Sequence, residues 1–280
     1  MIRPRKVFAQ HWLKSEKALN AIIKAAECTQ SDSCPTGDRV LEIGPGTGIL
    51  TRRLLPLVQS LVAVEIDRNL CEQLSKQLGK TENFLLLQGD FLTLDLPSYL
   101  AAFPNFQKPN KVVANIPYNI TGPIIEKLLG TIANPNPEPF DSIVLLVQKE
   151  VAERLYAKPG SKAFGALSVR VQYLAECELI CTVPAAAFHP PPKVDSAVVR
   201  LRPQKIEIPA LNPRQLENFL KLGFNAKRKM LRNNLQSVME RDRLTHLLEQ
   251  LKINPQSRAE DLSVNQWVIL ANELGVGSRK

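Results

Sequence analysis

Arg39-Val40-Leu41-Glu42-Ile43-Gly44-Pro45-Gly46-Thr47-Gly48 is the stretch that decides the fold. Val40, Leu41 and Ile43 make a short apolar run of the kind that forms a buried strand. Glycines follow at once, and Ile49 to Val58 reads as a helix. Strand, glycine turn and helix together open a doubly wound α/β fold. Glycines at such a turn let the backbone come close to a ligand.

The glycine spacing narrows the ligand. A pyrophosphate fingerprint, G-x-G-x-x-G, would place its third glycine at position 49. Ile49 stands there instead, and Gly48 comes one step earlier. G-x-G-x-G is the form associated with S-adenosylmethionine rather than with NAD. Leu61 to Val64 is the next strand and ends at Glu65-Ile66-Asp67. Glu65 lies about 20 residues beyond Gly44, where an acid in this type of fold binds ribose hydroxyls; a charged strand end is the plainer alternative. Asp67 reads as the cap of a helix over Arg68–Leu78. Phe84–Gln88 is a third strand leading to Gly89-Asp90, and Asp90 is either an acceptor for an adenine amino group or a turn residue.

Further strands are expected at Lys111–Ala114, Ser142–Val147, Glu178–Val183 and Ala197–Leu201. Helices are expected at Ser15–Ala26, Gly122–Leu129, Gln148–Tyr156 and Ala166–Tyr173. The expectation is an α/β, Rossmann-like domain of the class I methyltransferase kind, with a seven-stranded, mostly parallel sheet over residues 1–203. Pro203 to Pro213 is a linker, and a small all-α domain occupies 204–280. Within that domain Phe224 to Leu235 reads as an amphipathic helix carrying Lys227, Arg228, Lys229 and Arg232 on its polar face. With little local acid to balance them, these cations suit an RNA or ribosome surface.

The strand at Lys111–Ala114 stops at Asn115-Ile116-Pro117-Tyr118. Pro117 has no N–H for a ladder, and Ile116 before it is driven to an extended backbone. An Asn side chain and a rigid turn therefore sit at a carboxyl-terminal strand end, where open α/β sheets bind ligands. The group suits one chemical problem. An exocyclic amino group on a nucleobase is a poor nucleophile, because its lone pair is delocalised into the ring. The Asn115 side-chain oxygen and a carbonyl near Ile116 or Pro117 could accept its two N–H bonds and favour positive charge as it attacks. Tyr118 is a stacking face for the base, and Phe188, in the proline-stiffened Phe188–Ser196 segment, is a candidate second face. The plainer readings are a strand-end turn, a rim tyrosine and a hydrophobic plug.

The formal charge of +9 makes a polyanion a plausible partner. Arg5-Lys6-Val7-Phe8-Ala9-Gln10-His11-Trp12-Leu13 interleaves basic and aromatic residues, as a segment touching phosphates and a cofactor would. Nothing in the sequence approaches the roughly 20 apolar residues of a membrane span. Met1 to Lys17 lacks the apolar stretch of a signal peptide. The scattered cysteines, Cys28, Cys34, Cys71, Cys177 and Cys181, have no zinc-ligand spacing. They point to reduced thiols, a cytoplasmic protein and no metal.

Taken in order, Arg5–Leu13, Leu41–Gly48, Glu65, Gly89-Asp90, Asn115–Tyr118, Phe188–Ser196 and Phe224–Leu235 resemble the ribosomal RNA adenine N6,N6-dimethyltransferases of the bacterial small-subunit type. The resemblance covers essentially the whole chain. It implies that His11, Leu13, Gly44, Gly46, Glu65, Asp90 and Asn115 contact S-adenosylmethionine. It implies that Asn115, Ile116, Pro117 and Tyr118 hold the target adenine, with Phe188 beside them. RNA is expected at Arg5, Lys6, Lys227, Arg228, Lys229 and Arg232. It further implies dimethylation of two adjacent adenines near the 3' end of small-subunit ribosomal RNA, by a monomer acting on a small-subunit particle, with no transit peptide. Ala9 stands where the family usually has Gly, and His11 where many members have Asn. Methylation of large-subunit RNA, a non-catalytic assembly factor and an NAD-dependent dehydrogenase are the competing readings.

Overall fold

The structure is a computed structural model and describes residues 5, 10–29 and 37–277. Lys6, Ala9 and Cys34 lie outside the described residues, as does most of the loop after Thr29. The chain divides into two compact units: residues 1–128, 138–152 and 178–203, and residues 129–137, 153–177 and 204–280. The second unit thus takes in two segments that precede residue 203.

In chain order to residue 203 the strands are β1 (Trp12–Leu13), β2 (Arg39–Ile43), β3 (Ser60–Glu65), β4 (Phe84–Gln88), β5 (Lys111–Asn115), β6 (Ser142–Gln148), β7 (Ala175–Val183), β8 (Phe188–His189) and β9 (Ser196–Pro203). The helices over the same span are α1 (Glu16–Ala26), α2 (Thr51–Leu54), α3 (Arg68–Leu78), α4 (Leu96–Leu100), α5 (Thr121–Leu129), α6 (Lys149–Tyr156) and α7 (Ala166–Leu174). The main sheet has seven strands in the order β4-β3-β2-β5-β6-β9-β7. From β4 through β3, β2 and β5 to β6 all neighbours are parallel, and β9 is antiparallel to β6. The expected seven-stranded, mostly parallel sheet is present.

The apolar runs explain the sheet. Every residue of β3 is buried, and so are Ser142 to Val147 of β6. Strands covered on both faces lose the alternation of an exposed sheet. α1 packs on this sheet through Leu19 and Ile22, both fully buried, and each such side chain contributes roughly 1.5–3 kcal/mol. Ser15 caps α1 by accepting from the Ala18 N–H. The Ile49–Val58 stretch departs from the single helix expected. α2 is one turn, followed by a 3-10 turn over Leu55–Leu57. Pro56 offers no N–H to continue an α ladder, so the turn tightens.

The chain runs from β2 outward to β3 and β4, then returns to β5 on the other side of β2. Such a reversal opens a crevice at the carboxyl ends of β2 and β5. A second ladder, unexpected from sequence, pairs β1 with β8 antiparallel and sets Leu13 opposite Phe188 and Trp12 opposite His189. Pairs this short carry no periodic signal.

In the second unit, α8 (Pro213–Gly223), α9 (Leu231–Asn234), α10 (Arg241–Gln250) and α11 (Val264–Gly277) join α7. Trp267 is fully buried, its ring 5.5 Å from that of Phe224. A Cβ at Gly223 would come within 2.4 Å of the Trp267 ring, so only glycine fits there. The expectation of one amphipathic helix over Phe224–Leu235 is not met. α8 stops at Gly223, residues 224–229 form turns, and helix returns only at Leu231. Asn234 Nδ2 donates to the Gly223 and Ala226 carbonyls at 2.6 and 3.1 Å, and Leu231 N donates to Ser257 O at 2.8 Å. Backbone groups that a continuous helix would pair internally are satisfied by these partners instead.

Candidate active site

The crevice is a cavity of about 350 Å³ in the first unit. Its wall includes Gln10 to Leu13, the Gly44–Thr47 turn, Glu65-Ile66, Gly89 to Leu92 and Asn115 to Ile120. Among the expected cofactor residues, His11, Leu13, Gly44, Gly46, Glu65, Asp90 and Asn115 all line it. So do Ile116, Pro117 and Tyr118.

The glycine turn is built for close approach. Gly44 and Gly46 have φ of +68° and +58°, a region that side chains with a Cβ avoid. A Cβ at Gly46 would stand 3.5 Å from Trp12 Cδ1, and one at Gly44 3.9 Å from the Asn115 carbonyl oxygen. The turn is locked to β3: Gly44 N donates to Val64 O at 2.9 Å, and Gly46 N donates to Glu65 Oε2 at 3.1 Å. Glu65 Oε1 accepts from Asp67 N at 2.9 Å. Burial raises the Glu65 carboxyl above its ordinary value, and the backbone N–H bonds oppose that shift. Each ionised carboxylate oxygen keeps a further acceptor position. Asp67 caps α3 as expected, accepting from Asn69 N at 2.9 Å.

Asp90 follows β4. Its Oδ1 accepts from Leu92 N at 2.9 Å, while its backbone oxygen accepts from Thr93 N and Leu94 N. Glu42 was not anticipated as a wall residue. It is 1% exposed, lines the cavity, and its Oε2 has no hydrogen-bond partner. Burial, with the Glu65 charge nearby, pushes its carboxyl up to about 8. A charge inside the apolar run Val40–Ile43 was the visible signal. Trp12 Nε1 is likewise buried without a partner.

Asn115 ends β5 half-buried, and its Nδ2 donates to His11 O at 3.3 Å. The Tyr118 hydroxyl is 2.5 Å from Ser196 Oγ, and burial raises the phenol above its ordinary value. The ring facing Tyr118 is that of His11, at 5.8 Å between centroids and 19° between planes, with His11 Nδ1 2.8 Å from Pro190 O. The stacking face expected at Phe188 is closed. Pairing of β8 with β1 turns Phe188 into the core, 1% exposed, among Leu13, Leu19 and Ile22.

Of the expected RNA contacts, Arg5 makes an ion pair with Asp67 at 3.6 Å. Lys227, Arg228 and Lys229 are exposed in the second unit. Arg232 is half-buried, with one guanidinium nitrogen 3.5 Å from Met230 Sδ. Burial pushes the thiols of Cys28, Cys71 and Cys177 up to about 11, 12 and 12, far from the thiolate a nucleophile needs.

A G-x-G-x-G turn at the switch point, an acid ending the next strand and an Asn-x-Pro turn ending β5 define a class I methyltransferase, a class that implies S-adenosylmethionine as methyl donor. Residues 1–275 match the model of the family described as ribosomal RNA adenine dimethylase. The chain is 91% identical over 278 residues to the ribosomal RNA small subunit methyltransferase A of Nostoc punctiforme, covering 99% of this chain and 97% of that one. Among solved structures it is similar to a dimethyladenosine transferase from Plasmodium falciparum, with a TM-score of 0.76 and 29% identity over 95% of this chain and 98% of that one. It is also similar to the 23S rRNA methyltransferase ErmE, with a TM-score of 0.72 and 27% identity over 94% and 99%. The chain belongs to the ribosomal RNA adenine dimethylase family. Among the described residues no helix is long and apolar enough to cross a membrane.

Proposed function

We propose that this chain, as a cytoplasmic monomer, dimethylates N6 of two adjacent adenines in a hairpin near the 3' end of small-subunit ribosomal RNA, acting on a small-subunit particle. The orientation of Asn115 carries the reading. Its Nδ2 is given to His11 O, which leaves Oδ1 as the free, acceptor end of the amide. The Pro117 carbonyl already accepts from Ile120 N at 3.3 Å and Thr121 Oγ1 at 3.4 Å, so the Ile116 carbonyl is the second acceptor. Two acceptors at one strand end match the two N–H bonds of an adenine amino group. They hold the nitrogen and stabilise positive charge as it builds there. The amine becomes acidic as it is alkylated, so water or the same carbonyl suffices to take its proton. Tyr118, pinned by Ser196, gives the base a stacking face once the His11 ring moves aside.

The cavity fits S-adenosylmethionine, which when bound supplies an electrophilic sulfonium methyl. The Gly44–Gly46 turn admits a ligand where a Cβ would obstruct it. Glu65 has acceptor positions left for ribose hydroxyls, and Asp90 has Oδ2 left for the adenine amino group. The unpartnered Glu42 Oε2 suits a cationic amino group. His11 and Leu13 close the site from the amino-terminal side and exclude water. Lys227, Arg228 and Lys229, with Arg232, are read as the phosphate contacts of an RNA-binding helical domain over 204–280, and Arg5 and Lys6 as those of the arm.

The fold does not choose the ribosomal subunit, since a 23S rRNA methyltransferase shares it at a TM-score of 0.72. The small-subunit reading draws on the 91% identical relative. The test is transfer of labelled methyl groups to undermethylated small and large subunits and to naked RNA, with product nucleosides identified by mass. Dimethyladenine formed on the small-subunit particle supports the proposal. Transfer to the large subunit, or to neither, overturns it.

A further inference from the structure

Lys127 lies on α5, the helix that follows the Asn115–Tyr118 turn, and although the residue is exposed its ammonium bonds back onto the protein. Nζ donates to the carbonyls of Phe91, Leu92 and Leu94 at 2.6, 3.1 and 2.8 Å. An ammonium has three donors, and all three converge on one loop. Nζ also stands 5.0 Å from the centre of the Phe91 ring, a cation–π distance. Partial burial lowers the Lys127 pKa, and the nearby charges of Asp90 and Asp95 oppose this.

The loop it grips is the one that presents Asp90 to the cavity. Gly89 N donates to Glu65 O at 2.9 Å, which fixes the start of the loop to β3. Leu92 N and Leu94 N both fold back onto Asp90, the first onto Oδ1 at 2.9 Å and the second onto its backbone oxygen at 2.9 Å. The tight turn aims the Phe91, Leu92 and Leu94 carbonyls outward, together. Without a cation between them, three aligned carbonyl dipoles repel each other, and the turn has reason to open. Opening it would release Leu92 N from Asp90 Oδ1 and free the carboxylate to rotate. A lysine on a short helix otherwise reads as a solvated charge.

We propose that Lys127 is a positioning residue for cofactor recognition: by holding the Phe91–Leu94 carbonyls it keeps Asp90 aimed at the exocyclic amino group of the cofactor's adenine. The same contact ties α5, and so the Asn115–Tyr118 turn, to the cofactor's base pocket. This rests on the reading of Asp90 as the acceptor for that amino group.

The test is calorimetric binding of two ligands: S-adenosylhomocysteine, and its deaminated counterpart in which hypoxanthine replaces adenine. Wild-type protein favours the adenine ligand. Lys127→Met weakens adenine-ligand binding about tenfold, the scale of one charge-assisted hydrogen bond, while binding of the hypoxanthine ligand changes little. Discrimination between the two therefore collapses, which a general loss of stability would not produce. Lys127→Met protein with wild-type discrimination overturns the proposal, as does equal weakening of both ligands. Asp90→Asn is measured alongside. If that variant discriminates as wild type does, the Asp90 reading itself fails; if it loses discrimination and Lys127→Met does not, only the role of Lys127 fails. Should Lys127→Met not fold, Lys127→Gln, whose shorter, uncharged amide has two donors in place of three, replaces it: reduced discrimination supports the proposal and wild-type discrimination overturns it.

Discussion

Asn115→Ala isolates the amide on which the proposed chemistry turns. In the folded protein the deletion removes one bond of 3.3 Å, from Nδ2 to His11 O. Its net worth is about 1 kcal/mol. For a chain of this size that lowers Tm by roughly 2–4 °C, so the variant stays folded at assay temperature. The loss in rate is larger. One preorganised group aimed at developing charge is worth about 10²–10³ in kcat, since its interaction strengthens as the amino nitrogen turns positive. Asn115→Asp separates the two ends of the amide. It keeps an acceptor for the amine but cannot donate to His11 O, and it sets two oxygens against each other. Its rate should fall between wild type and Asn115→Ala. Single-turnover methyl transfer to undermethylated small subunits at saturating cofactor is the assay, with Tm measured on the same preparations. Asn115→Ala within threefold of the wild-type rate would refute the role given to the side-chain oxygen.

Other expectations rest on separate parts of the molecule. Glu42, raised by burial from 4.5 to about 8, keeps its proton in the folded chain and loses it in the unfolded chain between those values. Its contribution is full below about pH 4.5 and is lost as pH rises through 8. Denaturant unfolding of ligand-free protein should therefore show about 5 kcal/mol of stability lost across that window. Glu42→Gln should remove most of the slope, and equal slopes in the two proteins would contradict this. Arg200, 8% exposed, donates to Ala25 O at 3.2 Å and pairs with Glu27 and Glu178. Glu27 and Glu178 are half exposed and keep Arg202 as a partner, so Arg200→Met should cost only about 1–2 kcal/mol, the scale of its lost charge-assisted hydrogen bonds, and an unchanged Tm would rule that out. Replacing Lys227, Arg228 and Lys229 together with Gln should reduce the slope of log affinity against log salt for RNA by about 2–3. A slope equal to wild type would make the cluster a solvated face.

What the sequence disclosed and what it withheld follow from the range of the interactions involved. The Gly44–Gly48 turn was readable because its requirement is local: positive φ, no Cβ, and a strand before it. The cap at Asp67 and the turn at Asn115–Tyr118 were readable for the same reason, each set by residues within a few positions. The helix expected over Phe224–Leu235 was not, because its apolar and basic spacing is equally compatible with turns. Asn234, Ser257 and Arg258 decide the matter, by taking up backbone groups from elsewhere in the chain. Lys127 is the extreme case: nothing in Thr121–Leu129 indicates three carbonyls from a loop more than thirty residues earlier.

Phe188 and His11 show the same limit within the site itself. The motifs offer Phe188 as the ring facing Tyr118 and give His11 only a cofactor contact. The β1–β8 ladder makes the choice. By pairing Leu13 with Phe188 it turns that ring into the core and leaves His11, two residues before Leu13, against Tyr118. His11 is a departure from the Asn that the resemblance leads one to expect in many members, yet the contact that orients Asn115 uses the main-chain oxygen of residue 11. Any residue supplies that oxygen. The departure therefore leaves the amide's orientation intact and acts through the ring alone: its bond to Pro190 O and its place over Tyr118. A stack at 5.8 Å leaves no room for a base between the two rings. Entry of the target adenine onto Tyr118 thus requires the His11 side chain to move, while the backbone beneath it goes on holding Asn115.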